Sequence, residues 1–363
     1  MQGEKTVDGQ LSRNEQLVLY GLTKYPALTD NEICKSLEMK PSTFSTIKKS
    51  LEERGHFRVS YDPLMQHLGC ELLAMSYVRL NRKTKAEDRL EITRDELMAA
   101  EDIFILLTES NQAIAMSISR NIAEHVKTFD RFVQLYESYD FLEEALHTVM
   151  FPFEQSYVFS FFDFSPMLNR FFKIEPVSEN LPEIDIDSPK IRTHVTHREF
   201  SLLEKKVFLG LIRFPELSDA TLGEKLGCSR HMIRRLRARF LEEKLIKRRV
   251  VVSMEKLGFE ILAMMHFKFN ALKPVRDRQM CIRRIAMLHT PIFYIARDPE
   301  SVMLIPFKNF EEFQRIHETV STFMAEKDVL KGEPITYLLS LPRLTELKWL
   351  LYEPLVKKIL DIK

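Results

Sequence analysis

The stretch LGCSRHMIRRLRARFLEEKLI, residues 226–246, decides the fold. Gly227 and Cys228 make a turn, and Ser229 is a good helix N-cap. Ile233, Leu236 and Phe240 then recur at the spacing of one buried helix face. Ahead of it, Ser218 starts a short helix with Leu222 and Leu226 inward. Before that, Leu203, Val207, Phe208 and Leu211 mark a first helix that ends at Pro215. Behind it, Ile246 to Ser253 reads as a strand. Helix, helix–turn–helix, strand is the order of a winged helix-turn-helix.

The same order stands earlier in the chain. Residues 12–81 align without a gap on 201–270 at an offset of about 189. Ser12, Glu15, Val18, Gly21, Pro26, Asp30, Leu68, Gly69 and Asn81 recur as Ser201, Glu204, Val207, Gly210, Pro215, Asp219, Leu257, Gly258 and Asn270. A repeat of this length is a duplicated domain pair rather than a short solenoid unit. In the first copy Thr29 and Glu32 make a capping box, and the third helix carries Phe44, Ile47 and Leu51 inward within MKPSTFSTIKKSLEERGHF, residues 39–57.

Each helix-turn-helix is followed by a pattern that reads βαββαβ, the ferredoxin-like unit. The first is predicted as a strand at 72–80, a helix at 87–99, strands at 103–108 and 113–119, a helix at 123–136 and a strand at 146–151. The second is predicted at 261–269, 275–288, 292–296, 302–307, 310–325 and 335–339. Residues 173–195 are Pro-rich and acidic, which is linker chemistry. An amphipathic helix, Leu344 to Ile359, interrupted near Pro354, is expected at the C-terminus. The expected class is α+β, with domains at 11–64 (winged helix), 68–165 (βαββαβ), 197–254 (winged helix) and 257–342 (βαββαβ). A linker at 166–196 and a C-terminal helix at 343–363 complete the division.

Composition bounds the function classes. With 53 Lys and Arg against 52 Asp and Glu the net charge is +1, so a nucleic-acid surface must come from local clustering. Only 10 glycines argue against Gly-rich phosphate loops. The 4 cysteines are scattered and read as reduced thiols in a cytoplasmic protein. No window reaches the roughly 18 apolar residues of a membrane span.

The chemistry lies on the third helix of the second copy. Opposite its apolar stripe stand Arg230, His231, Arg234 and Arg235, with Arg237 and Arg239 at the margins, and Arg248 and Arg249 follow in the wing. Acidic residues are absent from 229–241. Guanidinium groups grip phosphates bidentately and read guanine in the major groove. The matching face of the first copy is Ser42, Ser45, Thr46 and Lys49, which supplies less charge for a polyanion. These twelve residues are the expected DNA contacts.

This order of parts resembles the Lrp/AsnC (feast/famine) family of transcription regulators, in a tandem duplicated form. The resemblance covers nearly the whole chain and rests on the architecture and the two quoted helix-turn-helix stretches. It implies DNA binding by helix-turn-helix pairs, with βαββαβ (RAM-like) domains making dimers. With two units fused, an intrachain pseudo-dimer is expected, and a homodimer is left open. Family effector sites lie at the βαββαβ interfaces, in a loop marked by glycine and aspartate. Here the loops read LTESNQAIA and ARDPESVML, with Asp298 alone able to stand for that aspartate, so a small-molecule effector is left open.

Sirohaem decarboxylases resemble the same family fold and use histidine and arginine near the βαββαβ domain. Their His-rich loop is missing here: the matching regions are YDPLMQHLGCELL, with a lone His67, and VSMEKLGFEIL. The sequence is therefore read as a sequence-specific DNA-binding regulator of double-stranded DNA, without a cofactor and without enzymatic activity. A winged-helix module that docks protein is the third reading.

Overall fold

Capping side chains and apolar stripes set the helical elements where the sequence places them. The computed structural model describes residues 11–175 and 194–362, the side chains of Ala86, Thr93, Asp95, Leu97, Met98, Leu288 and His289 excepted. In the first copy run α1 (Arg13–Lys24), α2 (Asp30–Ser36), α3 (Pro41–Glu53), β1 (Phe57–Pro63), β2 (Leu72–Arg79), α4 (Ala86–Ala99), β3 (Ile103–Glu109), β4 (Gln112–Ser119), α5 (Ile122–Ser138), β5 (His147–Pro152), β6 (Tyr157–Phe161) and α6 (Ser165–Phe172). In the second follow α7 (Leu202–Arg213), α8 (Asp219–Leu226), α9 (Arg230–Glu242), β7 (Ile246–Val252), β8 (Ile261–Lys268), α10 (Val275–His289), β9 (Phe293–Arg297), β10 (Glu300–Phe307), α11 (Phe310–Lys327), β11 (Ile335–Ser340), β12 (Thr345–Lys348) and α12 (Glu353–Leu360). The class is α+β, with winged helix-turn-helix and ferredoxin-like parts, each present twice.

The repeat explains why matching elements start alike. Ser12 and Ser201 each close a capping box with Glu15 and Glu204, satisfying amide donors that a helix N-terminus leaves free. Thr29 does the same with Glu32. Asn121 and Asn309 cap α5 and α11 by accepting from the amides of Glu124 and Glu312.

Two five-stranded sheets form, in the orders β12-β3-β4-β2-β5 and β11-β8-β10-β9-β6. Four neighbours in each sheet come from one βαββαβ run. The fifth comes from the other copy: β12 pairs antiparallel with β3, and β6 lies beside β9. Strand β6 is held there by Phe159 stacked on Tyr294 at 5.1 Å and by the Ser160 hydroxyl donating to the Ile292 carbonyl at 2.9 Å.

This exchange corrects two expectations. The C-terminal segment is not one helix but strand β12 followed by α12. Pro354 falls in the first turn of α12, where a missing amide costs nothing, whereas in mid-helix it would break the ladder. Part of the expected linker, residues 166–172, lies in helix α6, the repeat mate of α12; residues 176–193 lie outside the described residues.

The described residues divide into two compact units: those within 11–60, 158–175 and 248–342, and those within 61–157, 194–247 and 343–362. Each unit thus takes its winged helix from one copy and its four-stranded run from the other. In the first unit α6 packs on α1, and Arg13 donates to the Phe172 carbonyl at 2.7 Å. In the second α12 packs on α7, with Lys205 donating to the Leu360 carbonyl at 2.5 Å. Strands β1 and β7 pair as a two-stranded sheet, and the chain passes from one unit to the other partway along each.

Candidate nucleic-acid interface

Helix α9 is aimed by what lies on either side of its N-terminus. Gly227 ends α8 in the left-handed region at φ 62°, and the Ser229 hydroxyl accepts from the Met232 amide at 3.2 Å. A Cβ on Gly223 would stand 2.6 Å from the Cys228 carbonyl oxygen, so the tight approach of α8 to the turn needs glycine there. Ile233, Leu236 and Phe240 are buried, and Phe240 packs edge-on against Phe208 at 5.3 Å. With that stripe held inward, the opposite arc must face outward.

Four of the expected DNA contacts occupy that arc. Arg230, His231, Arg234 and Arg235 are exposed, and among the described residues none has an ion-pair partner. They span less than two turns, so their charges are concentrated within about 8 Å of helix axis.

The marginal arginines are committed elsewhere. Arg237 pairs with Asp219 at 3.1 Å, donates to the Leu217 carbonyl at 3.3 Å and lies over the Tyr61 ring. Arg239 pairs with Glu204 and, at 3.6 Å, with Glu243; Arg198 reaches the same two carboxylates at 2.9 and 2.7 Å. These residues clamp α9 to α7 and α8. A count of acids along 229–241 misses them because Asp219 and Glu204 come from neighbouring helices and Glu243 lies just past the counted range.

The wing arginines do not flank a free surface. Arg249 is 5% exposed and donates to the Phe162 carbonyl. Arg248 is half-buried and donates to the Pro26 carbonyl at 2.6 Å. The expectation that both reach phosphates is corrected. Strand β7 enters the other unit at Arg248, where backbone carbonyls already hold both guanidiniums.

Helix α3 is built alike but presents different chemistry. Phe44 and Leu51 are fully buried, and Ser42, Ser45 and Lys49 are exposed. The Thr46 hydroxyl donates to the Ser42 carbonyl at 3.0 Å, and Lys49 lies 3.8 Å from Glu53. Lys48 pairs with Asp30 at 2.8 Å, the repeat mate of the Arg237–Asp219 pair. The hydroxyls can hydrogen-bond a backbone, but the face brings almost no net charge.

Of the other residues weighed from the sequence, Asp298 is engaged by Arg278, whose Nε donates to it at 2.8 Å, and His67 hydrogen-bonds the Thr196 hydroxyl at 2.9 Å. No helix among the described residues is long and apolar enough to cross a membrane.

No protein-family profile and no curated protein matches the chain. Solved structures do. A siroheme decarboxylase NirDL in co-complex with an iron-uroporphyrin III analogue is 11% identical, covering 96% of this chain and 99% of that one with a TM-score of 0.50. A second structure of NirDL gives 12% identity, 96% and 98% coverage and a TM-score of 0.49. AsnC of E. coli is 14% identical and covers 39% of this chain and 93% of its own, with a TM-score of 0.33. At 11% identity, the likeness to the first of these shows the fold alone. The structure with a TM-score of 0.50 that is alike from end to end is that of an enzyme, so the expectation of a chain without enzymatic activity is withdrawn.

Proposed function

We propose that the protein is a sequence-specific DNA-binding transcription regulator whose main recognition element is α9. Arg230, His231, Arg234 and Arg235 enter the major groove, and α3 contacts a weaker neighbouring site through Ser42, Ser45, Thr46 and Lys49. One observation carries the reading: among the described residues the only α9 cations held in ion pairs are the two at its margins, while the outward arc is exposed and without ion pairs, Arg235 donating only to the Met232 sulfur. A helix kept as plain scaffold gains nothing from such self-repulsion, whereas a polyanion relieves it. Because the two faces differ, the bound site is asymmetric within one chain.

The test is binding to duplexes selected from genomic fragments, read by fluorescence anisotropy. Arg234→Ala with Arg235→Ala lowers affinity about 100-fold at fixed salt, two lost contacts of about 1–3 kcal/mol each, with an unchanged circular dichroism spectrum. With four phosphates neutralised, by Arg230, Arg234, Arg235 and Lys49, the log–log salt slope of the unmodified protein is about −3.6. Undiminished binding by the double variant would falsify the assignment of this face.

The end-to-end fold likeness to a siroheme decarboxylase supports a second reading, tetrapyrrole binding on the same framework. Incubation with iron-uroporphyrin III and a search for a Soret band shifted by the protein tests it; an unshifted spectrum rules it out.

A further inference from the structure

The two sheets are repeat mates, yet their helix-facing sides are filled differently. Register places Ser76, Ala115 and Ser117 of β2 and β4 where β8 and β10 carry Met265, Met303 and Ile305. The matching Asn caps of α5 and α11 place His125 and Thr128 where Phe313 and Ile316 stand. In the second copy those five large side chains are buried in one apolar core. In the first, the smaller set borders a cavity of about 70 Å³ between the sheet and α5. One water needs roughly 10–15 Å³ on the same measure.

The cavity wall is mostly apolar and includes the rings of Phe129, Phe132 and Tyr136. Its polar members are Ser76, Ser117, Thr128, Tyr136 and His125, of which His125 carries an unpartnered ring nitrogen. His125 is 3% exposed, its Nδ1 lies 3.4 Å from the Ser117 hydroxyl, and its Nε2 has no hydrogen-bond partner among the described residues. A buried polar atom without a partner is costly, and a core that needed only packing would carry phenylalanine, as its mate does. Burial pushes the imidazole below its ordinary pKa, against the opposing charge of Asp102, so it is neutral at pH 7. A neutral ring in an apolar cavity does not offset the desolvation of a carboxylate or phosphate.

We propose that this cavity is a binding site for a small neutral aromatic alcohol, its ring among the aromatic wall residues and its hydroxyl on His125 Nε2. A hydroxyl both donates and accepts, so it matches either imidazole tautomer. The site is independent of the DNA-binding reading.

The probe is phenol, with benzene as the ring lacking the hydroxyl, titrated calorimetrically into the full chain. Phenol binds saturably at about 1 mM or tighter, and benzene about tenfold more weakly, the worth of one neutral hydrogen bond. His125→Leu erases the preference for phenol. Ser117→Ile with Thr128→Ile, which restores the side chains of the other copy, removes binding of both compounds. The second variant keeps the test decisive if the first fails to fold. Absence of saturable phenol binding, equal affinity for the two compounds, or undiminished binding by the filled variant overturns the proposal.

Discussion

Helices α9 and α3 hold the same place in two copies of one module and have kept opposite things. Their inward residues stay apolar: Ile233, Leu236 and Phe240 against Phe44, Ile47 and Leu51. The ion pair that clamps each to the preceding helix survives, as Arg237–Asp219 and Lys48–Asp30. The four outward positions have diverged completely, Arg230, His231, Arg234 and Arg235 facing Pro41, Ser42, Ser45 and Thr46. Duplication therefore separates what the fold requires from what the surface does. The sheets teach the same lesson inside the molecule. The core of the second copy is filled, whereas its mate trades methyl groups for a histidine, hydroxyls and space.

The largest effect should come from imposing the first copy's chemistry on the second. Ile305→Ser places the residue of Ser117 in a site that is 1% exposed and fully packed. Lost burial, a cavity and a hydroxyl without a partner together cost about 3–5 kcal/mol. A fall in the urea midpoint of that size is expected, and a change under 1 kcal/mol would mean that the two cores differ less than their side chains imply.

Next comes Lys348 on β12, whose repeat mate on β6 is Ser160. Lys348 is 1% exposed and donates to the Ala100 carbonyl at 2.6 Å. Burial lowers its pKa to about 8, against the opposing charges of Asp102 and Glu101. A cation whose folded pKa lies below its unfolded value opposes folding fully below pH 8, and the penalty lifts as pH rises toward the unfolded value of about 10.4. Lys348→Met should therefore stabilise the protein at pH 7 by roughly 3 kcal/mol, with the gain vanishing by about pH 10.5. Urea melts of both proteins across that range check it. A gain independent of pH would place the effect in packing rather than charge.

The smallest effect compares the two clamps. Asp219→Ala leaves a guanidinium 21% exposed without its carboxylate and should cost about 1–3 kcal/mol. Asp30→Ala removes a carboxylate that is 51% exposed and should cost less than about 1 kcal/mol. Thermal unfolding ranks them, and equal costs would show that burial does not set the strength of this pair.

Much of the fold was legible because short-range physics writes it into the chain. The caps at Ser12, Ser201 and Ser229 and the stripe through Phe240 are local signals. The βαββαβ spans followed from the period of apolar residues. Strand β12 was not legible: its edge pairing with β3 is a long-range contact, and Leu344, Leu347 and Leu351 stand at helical spacing. Within the site, the outward arc was read correctly as a geometric face. The fates of Arg237 and Arg239 were missed, although the recurrence of Asp30 with Lys48 and Asp219 with Arg237 at one offset was a usable sign of pairing. Arg248 and Arg249 gave no such sign, because backbone carbonyls have no letter in the sequence.

By itself the sequence determined that this is a duplicated winged-helix and ferredoxin-like chain with one arginine-rich helix face, since periodicity and capping act over a few residues. Tertiary structure alone decided which arginines remain free, which copy's strand closes each sheet, and which sheet carries a cavity. Those outcomes depend on partners supplied by other elements, from Asp219 beside Arg237 to Pro26 beside Arg248 and β3 beside β12, and on volumes that exist only once the elements are packed.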